Sequence, residues 1–191
     1  MSKVLVIYYS EYGSTKKYAE WIAEELNGEL FNYKDVNHDQ LSGYDTIILG
    51  GGLYAGNIKG LNLLISGFEK FDNTKDKKLV IFTCGLADYS KEINSSNIYK
   101  RLEKVLSKNI LDNIKVFYLR GYIDYKKLRP MHRFLMYMMK KMIIKKGAEN
   151  YDDEDISFLE TYGKSVDFMD RNSIRGIIDY CKNSGQEDTG R

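Results

Sequence analysis

The chain has 191 residues, 29 basic and 27 acidic side chains, a formal net charge of +2, two Cys, two His, one Pro and 16 Tyr. This length suits one domain, or one domain with an insertion, and suffices to bury a sizeable core, while 43% hydrophobic and 29% charged residues exclude a disordered chain. Cys84 and Cys181 form no CxxC pair and no disulfide framework, which points to a reducing compartment, and with His38 and His132 they are too few for a His/Cys zinc site, so no metal is expected.

Val4–Tyr9 is a continuous run of β-branched, aromatic and other apolar residues and predicts a buried strand of a parallel sheet. It follows Lys3, but no small-residue cleavage site comes after it, so it reads as a strand and not as a signal peptide. Tyr18, Trp21, Ile22 and Leu26 predict a helix that stops at Asn27-Gly28. Leu30–Tyr33 is a second strand, and Thr46–Leu49 a third that ends in Gly50-Gly51-Gly52. Leu61, Leu64, Ile65 and Phe68 recur at helical spacing, Leu79–Thr83 is a fourth strand, and Ile98, Leu102, Val105 and Leu106 mark a further helix. Val116–Leu119 is a fifth strand, and a last helix is expected from about Ser157 to Met169. Strands alternating with helices in this way predict an α/β fold, a doubly wound five-stranded parallel sheet. Ligands of such sheets bind at the carboxyl ends of the strands, so the loops beginning at Ser10, Gly50 and Thr83 are the ones to inspect.

About 35 residues separate the fifth strand from the expected last helix, far more than an ordinary connection. The domain is therefore expected over 1–178, with a helical insertion at about 122–155 and a mobile tail over 179–191. After Pro130, Met131, Phe134, Leu135, Met138, Met139 and Met142 recur at i, i+3 and i+4, which predicts an amphipathic helix rich in Met. The charge is uneven. Residues 1–119 carry 15 basic and 15 acidic side chains, residues 120–146 nine basic and one acidic, and residues 147–191 five basic and 11 acidic. The basic stretch either pairs with the acidic one or attracts an anion such as a phosphate or a lipid headgroup. The longest apolar run, Phe134–Met139, is too short to span a bilayer.

Ser10-Glu11-Tyr12-Gly13-Ser14-Thr15 places three hydroxyls and a Gly at a strand-to-helix turn, where free amides and the helix dipole can hold a phosphate. The competing reading is an ordinary helix N-cap. There is no GxxxxGK[ST] motif, and Gly50, Gly52 and Gly56 follow the third strand, so neither a triphosphatase loop nor a dinucleotide fingerprint is present.

These six residues resemble the phosphate loop of flavodoxins, which binds the phosphate of FMN. The resemblance implies FMN as cofactor, with Ser10, Glu11, Tyr12, Gly13, Ser14 and Thr15 at the phosphate. It also implies Gly52, Leu53, Tyr54, Ala55 and Gly56 along one side of the flavin ring, and Thr83, Cys84, Gly85, Leu86 and Tyr89 near the other. A closer resemblance is to the flavodoxin-like protoporphyrinogen oxidases that use menaquinone. It rests on Gly121-Tyr122-Ile123-Asp124-Tyr125, Arg133-Phe134-Leu135-Met136, Met138-Met139-Lys140-Lys141-Met142 and Gly147-Ala148-Glu149 in a long insertion before the last helix. It implies an FMN-dependent oxidoreductase that is quinone-linked and of the protoporphyrinogen oxidase type; the alternative is a flavodoxin-type electron carrier with no substrate of its own. The expected partner is a small redox substrate, a quinone or a porphyrinogen, with no nucleic acid; the helix over 130–146 either packs on the sheet or a second subunit, meets a membrane surface, or covers the flavin pocket as a lid. The expected location is cytoplasmic, peripheral at the inner membrane face. No acid–base catalyst is nominated, because flavin chemistry asks little of side chains. His38 and His132 read as surface or helix residues, and Cys84 as a packing residue.

Overall fold

The computed structural model describes residues 2–54, 57–58, 61, 77–88 and 92–183. Five parallel strands form the central sheet: β1 (Val4–Tyr9), β2 (Glu29–Asn32), β3 (Thr46–Tyr54), β5 (Lys78–Gly85) and β6 (Ile114–Arg120). Their order is β2-β1-β3-β5-β6, and a two-residue strand β4 (Asn57–Ile58) folds back antiparallel on the end of β3. The doubly wound parallel sheet expected from the sequence is present.

Side chains alternate across this sheet, as a strand's two-residue period requires. Leu5, Ile7, Ile47, Leu49, Leu79 and Ile81 pack on one face against Ile98 and Leu102 of helix α2 (Glu92–Glu103) and Ile110 of α3 (Lys108–Leu111). Val6, Ile48, Val80 and Phe82 pack on the other. There they meet Tyr18 and Ile22 of α1 (Ser14–Leu26), and Ile177 and Ile178 of α6 (Arg175–Lys182). Both faces are covered, which is why the strands read as continuous apolar runs.

Two expectations are corrected. The third strand continues through Gly50–Gly52 to Tyr54, paired with β5 as far as Gly52↔Cys84. A Cβ on Gly50 would lie 2.1 Å from Cζ of Phe82, so that glycine makes room for a buried ring and does not mark a turn. The helix expected over Ser157–Met169 is α5, Asp153–Thr161. It starts in a capping box between Asp152 and Asp155 and stops before Gly163, whose φ of +82° is the left-handed conformation that suits glycine. The helix that closes the domain is α6, and it runs past Ile178 to Lys182. The expected helix at Leu61–Phe68 and the tail over 184–191 lie outside the described residues, apart from Leu61 itself.

Beyond β6 the chain leaves the sheet. Strand β7 (Tyr122–Asp124) pairs antiparallel with β8 (Ser165–Asp167), and this ribbon forms the base of the insertion. Between the two strands lie α4 (Pro130–Lys145) and α5, joined by Lys146, whose ammonium is 2.6 Å from the buried Asp155 carboxylate. That ion pair holds the Lys146 pKa above its ordinary value. Ile123, Tyr125 and Leu128 form a separate small core with Met136, Tyr162 and Val166.

Candidate functional site

Strand order reverses between β1 and β3, where Tyr9 lies opposite Gly51. The four-residue loop 10–13 after β1 sits at this switch point and runs into α1. Gly13 at its end has φ +101° and open space where a Cβ would be, so an L side chain there would strain the turn. No side chain caps α1. The first amides of an α-helix, here those of Ser14, Thr15 and Lys16, have no intrahelical acceptor, and the helix dipole adds partial positive charge at the same place. Ser10 Oγ accepts from the Gly13 amide at 3.0 Å, which tightens the loop.

The other two hydroxyls point inward. Ser14 Oγ accepts from the Tyr122 amide at 2.9 Å, and both Ser14 and Thr15 are buried. Both also hydrogen-bond the thiol of Cys84, the penultimate residue of β5. Burial outweighs these bonds and pushes the Cys84 thiol up to about 12, so it stays protonated at neutral pH and is neither a thiolate nucleophile nor a redox thiol. Gly121 fits between these groups: a Cβ there would lie 2.9 Å from Cys84 Sγ and 3.3 Å from Ser14 Cβ and Oγ. Its amide donates to Gly85 O at 2.7 Å. The loops after β1, β5 and β6 are thus joined at one point. Thr83 Oγ1, on the same strand, is fully buried and has no hydrogen-bond partner among the described residues.

Gly52, Leu53 and the backbone of Tyr54 form the end of β3, where Leu53 and Tyr54 pair with Ile58 and Asn57. Gly85 closes β5 and Leu86 follows it. Ala55, Gly56 and Tyr89 lie outside the described residues.

The side chains through which the insertion reaches this site were not named from the sequence. Its small core packs against Tyr12 of the first loop and Leu86 of the second. The Tyr12 hydroxyl lies 2.5 Å from Nδ1 of His132 and accepts from the Arg129 amide at 3.2 Å. The buried Glu11 carboxylate accepts from the Tyr9 hydroxyl at 2.9 Å and lies 3.6 Å from His132 Nδ1 and 3.8 Å from Arg129. Burial, and then Glu11, raise the Tyr9 pKa. His132 is therefore part of the loop's surroundings, though nothing in its local sequence says so, because Tyr12 is 120 positions away. Arg120 was also missed. Its guanidinium stacks 3.8 Å over Phe168 and donates to Leu86 O at 3.3 Å. With Tyr18, Asp88, Phe168 and Asp170 it lines a cleft of about 410 Å³.

The family model described as "Flavodoxin domain" matches residues 5–152. A flavodoxin of Maridesulfovibrio salexigens is 32% identical over 126 residues, 61% of this chain and 86% of its own length. An uncharacterized protein of Methanocaldococcus jannaschii is 29% identical over 124 residues, 64% of this chain and 78% of its own. Among solved structures, oxidised flavodoxin 1 of Bacillus cereus superposes with a TM-score of 0.44 at 19% identity, covering 62% of this chain and 84% of that one.

Proposed function

From the premise that this chain belongs to the flavodoxin domain family, we propose that it is an FMN-dependent oxidoreductase, quinone-linked and of the protoporphyrinogen oxidase type. The observation that carries the flavin reading is the uncapped start of α1. It follows a glycine at φ +101° and lies beside the glycine-rich ends of β3 and β5.

The residues present fit FMN. The amides of Ser14, Thr15 and Lys16 offer the phosphate donors with no side chain in competition. Ser10 shapes the loop, and the inward Ser14 and Thr15 hydroxyls hold it to Cys84 and Tyr122. Gly52, Leu53 and Tyr54 on one side and Cys84, Gly85 and Leu86 on the other would flank the ring. Bound FMN supplies hydride or single-electron transfer, which needs no side-chain acid or base. The protein's part is to hold and orient the ring and to shield it from water. The small core of the insertion, packed on Tyr12 and Leu86, serves that shielding and favours an enzyme with its own substrate over a simple carrier.

The test is spectroscopic first. Purified protein should carry a flavin absorption spectrum or quench FMN fluorescence on titration, and absence of both at micromolar protein would remove the flavin reading. The holoprotein should then oxidise protoporphyrinogen with a naphthoquinone as acceptor. A holoprotein inert with porphyrinogen and hydroquinone donors alike would leave the electron-carrier reading in its place.

A further inference from the structure

The loop that presents the first amides of α1 also carries a charge of the wrong sign for a phosphate. Glu11 stands three positions before Ser14, so their Cα atoms lie within about 11 Å of each other. The Glu11 side chain is only 8% exposed, so water and salt screen it little. A buried carboxylate needs a counter-charge, and a phosphate dianion held nearby adds like-charge repulsion. The loop itself supplies no cation. Residues 10–13 contain no Lys or Arg, and the ammoniums of Lys16 and Lys17, in the first turn of α1, pair with Glu20 at 3.8 and 3.7 Å.

Positive charge reaches Glu11 from the insertion. Arg129, the residue before α4, brings a guanidinium nitrogen to 3.8 Å from Glu11 Oε2, and His132 Nδ1 lies 3.6 Å from the same oxygen. The other carboxylate oxygen accepts from the Tyr9 hydroxyl at 2.9 Å. The loop's own Tyr12 holds both insertion residues in place. Its hydroxyl accepts from the Arg129 amide at 3.2 Å and lies 2.5 Å from His132 Nδ1. Its ring packs on the small core of the insertion, with the His132 ring edge-on at 5.7 Å. Arg129 is 68% exposed, so its pair with Glu11 adds little to stability. The effect of such a pair is on the local field, and a guanidinium keeps its charge throughout the physiological range.

We propose that Arg129, with His132 beside it, is a specificity determinant of the flavin site: it offsets Glu11 so that the loop accepts a phosphate dianion, and so favours FMN over riboflavin, the same ring system without the phosphate. Both residues are positioning residues that act through Glu11, and neither is assigned a contact with FMN. The inference rests on the flavin reading and adds to it that the insertion, and not the parallel sheet and its loops alone, completes the phosphate site.

The full chain, freed of flavin, is titrated with FMN and with riboflavin at low salt, with flavin fluorescence as the readout. Arg129→Gln should raise the Kd for FMN roughly three- to tenfold and leave that for riboflavin within about twofold. His132→Gln should act in the same direction. Glu11→Gln should bind FMN at least as tightly as the parent, and in that background Arg129→Gln should no longer matter. That rescue decides the question even where riboflavin binds too weakly to titrate. Equal losses for FMN and riboflavin, or an FMN loss that persists in the Glu11→Gln background, would show a merely structural tie between loop and insertion and overturn the inference. FMN affinity unchanged by Arg129→Gln overturns it as well, with the flavin reading intact. A parent that binds neither flavin overturns the flavin reading itself, and this inference with it.

Discussion

Gly121→Ala tests whether the three loops are built on one another. The backbone at Gly121 is not left-handed, so alanine is conformationally allowed and the effect comes from contact alone. The added methyl would lie 2.9 Å from Cys84 Sγ and 3.3 Å from Ser14 Cβ and Oγ, against an optimal carbon–carbon separation of about 3.5–4.0 Å. Overpacking of this kind costs about 1–3 kcal/mol. The sulfur is the closest atom, so Cys84→Ala should relieve most of the clash. Alone, Cys84→Ala should cost about 1 kcal/mol, from a small void and the loss of a weak partner for Ser14 and Thr15. The double variant should then be more stable than the sum of the two single effects predicts, by about 1–2 kcal/mol. Urea unfolding of the four proteins measures this, with the slope unchanged if the unfolded state is unaltered. FMN affinity gives a second readout. Gly121→Ala pushes on Ser14, the first residue of α1, and should weaken FMN binding, while the double variant should recover it. Effects that add to within about 0.5 kcal/mol would refute the contact geometry at this junction.

Gly50→Ala should be more severe than Gly121→Ala, because its methyl would lie 2.1 Å from a fully buried Phe82 ring; a loss above about 3 kcal/mol is expected, and a soluble variant with the parent's urea midpoint would contradict it. Ser10→Ala removes the acceptor for the Gly13 amide and should weaken FMN binding by about 1 kcal/mol with little change in thermal stability, as read by calorimetric titration. Burial pushes Cys84 up to about 12 and Cys181 up to about 11, so neither thiol should react with a disulfide reagent near neutral pH until the protein unfolds. With the folded pKa above the unfolded one, the stability contributed by the neutral Cys84 thiol is complete below about pH 9 and is lost as pH rises toward 12, on the order of 4 kcal/mol in all. Cys84→Ala should therefore lose less stability than the parent across that window, and parallel curves would count against the shift.

The fold was legible where burial is symmetric. Val4–Tyr9 and Leu79–Thr83 are apolar throughout because both faces of the sheet are covered, and runs of that kind admit little else. The errors have local causes. Gly50–Gly52 carry a turn composition, but the reason for Gly50 lies on a neighbouring strand, in the Phe82 ring, where no local pattern reaches. Phe158, Tyr162, Val166 and Met169 mimic a helical period across a break that Gly163 makes. The closing helix did carry a signal, in Ile174, Ile177, Ile178 and Cys181 at i, i+3, i+4 and i+7. For α4 the period was readable, but period alone does not say which side of a helix faces the protein. His132, Met136 and Ile143 form the inner side because of what they meet, not because they are the most apolar positions.

The site follows the same division. The place of the loop after β1 was legible from the apolar run that ends at Tyr9 and the helical period that follows it. Glu11, which the resemblance puts at the phosphate, is a carboxylate, and its charge would oppose an anion there by like-charge repulsion. The structure resolves this through the insertion. Arg129 and His132 stand 3.8 and 3.6 Å from the Glu11 carboxylate, and the Tyr12 hydroxyl next to it is held between the Arg129 amide and His132. Arg129 is largely exposed, so its pair with Glu11 contributes little to stability, whereas its placement screens charge next to the loop. Arg129 and His132 at the foot of α4 thus face inward on Glu11, and Lys146 just past its other end pairs with Asp155. Part of the +8 block, uneven against a net charge of +2, is therefore engaged within the chain, at both ends of α4.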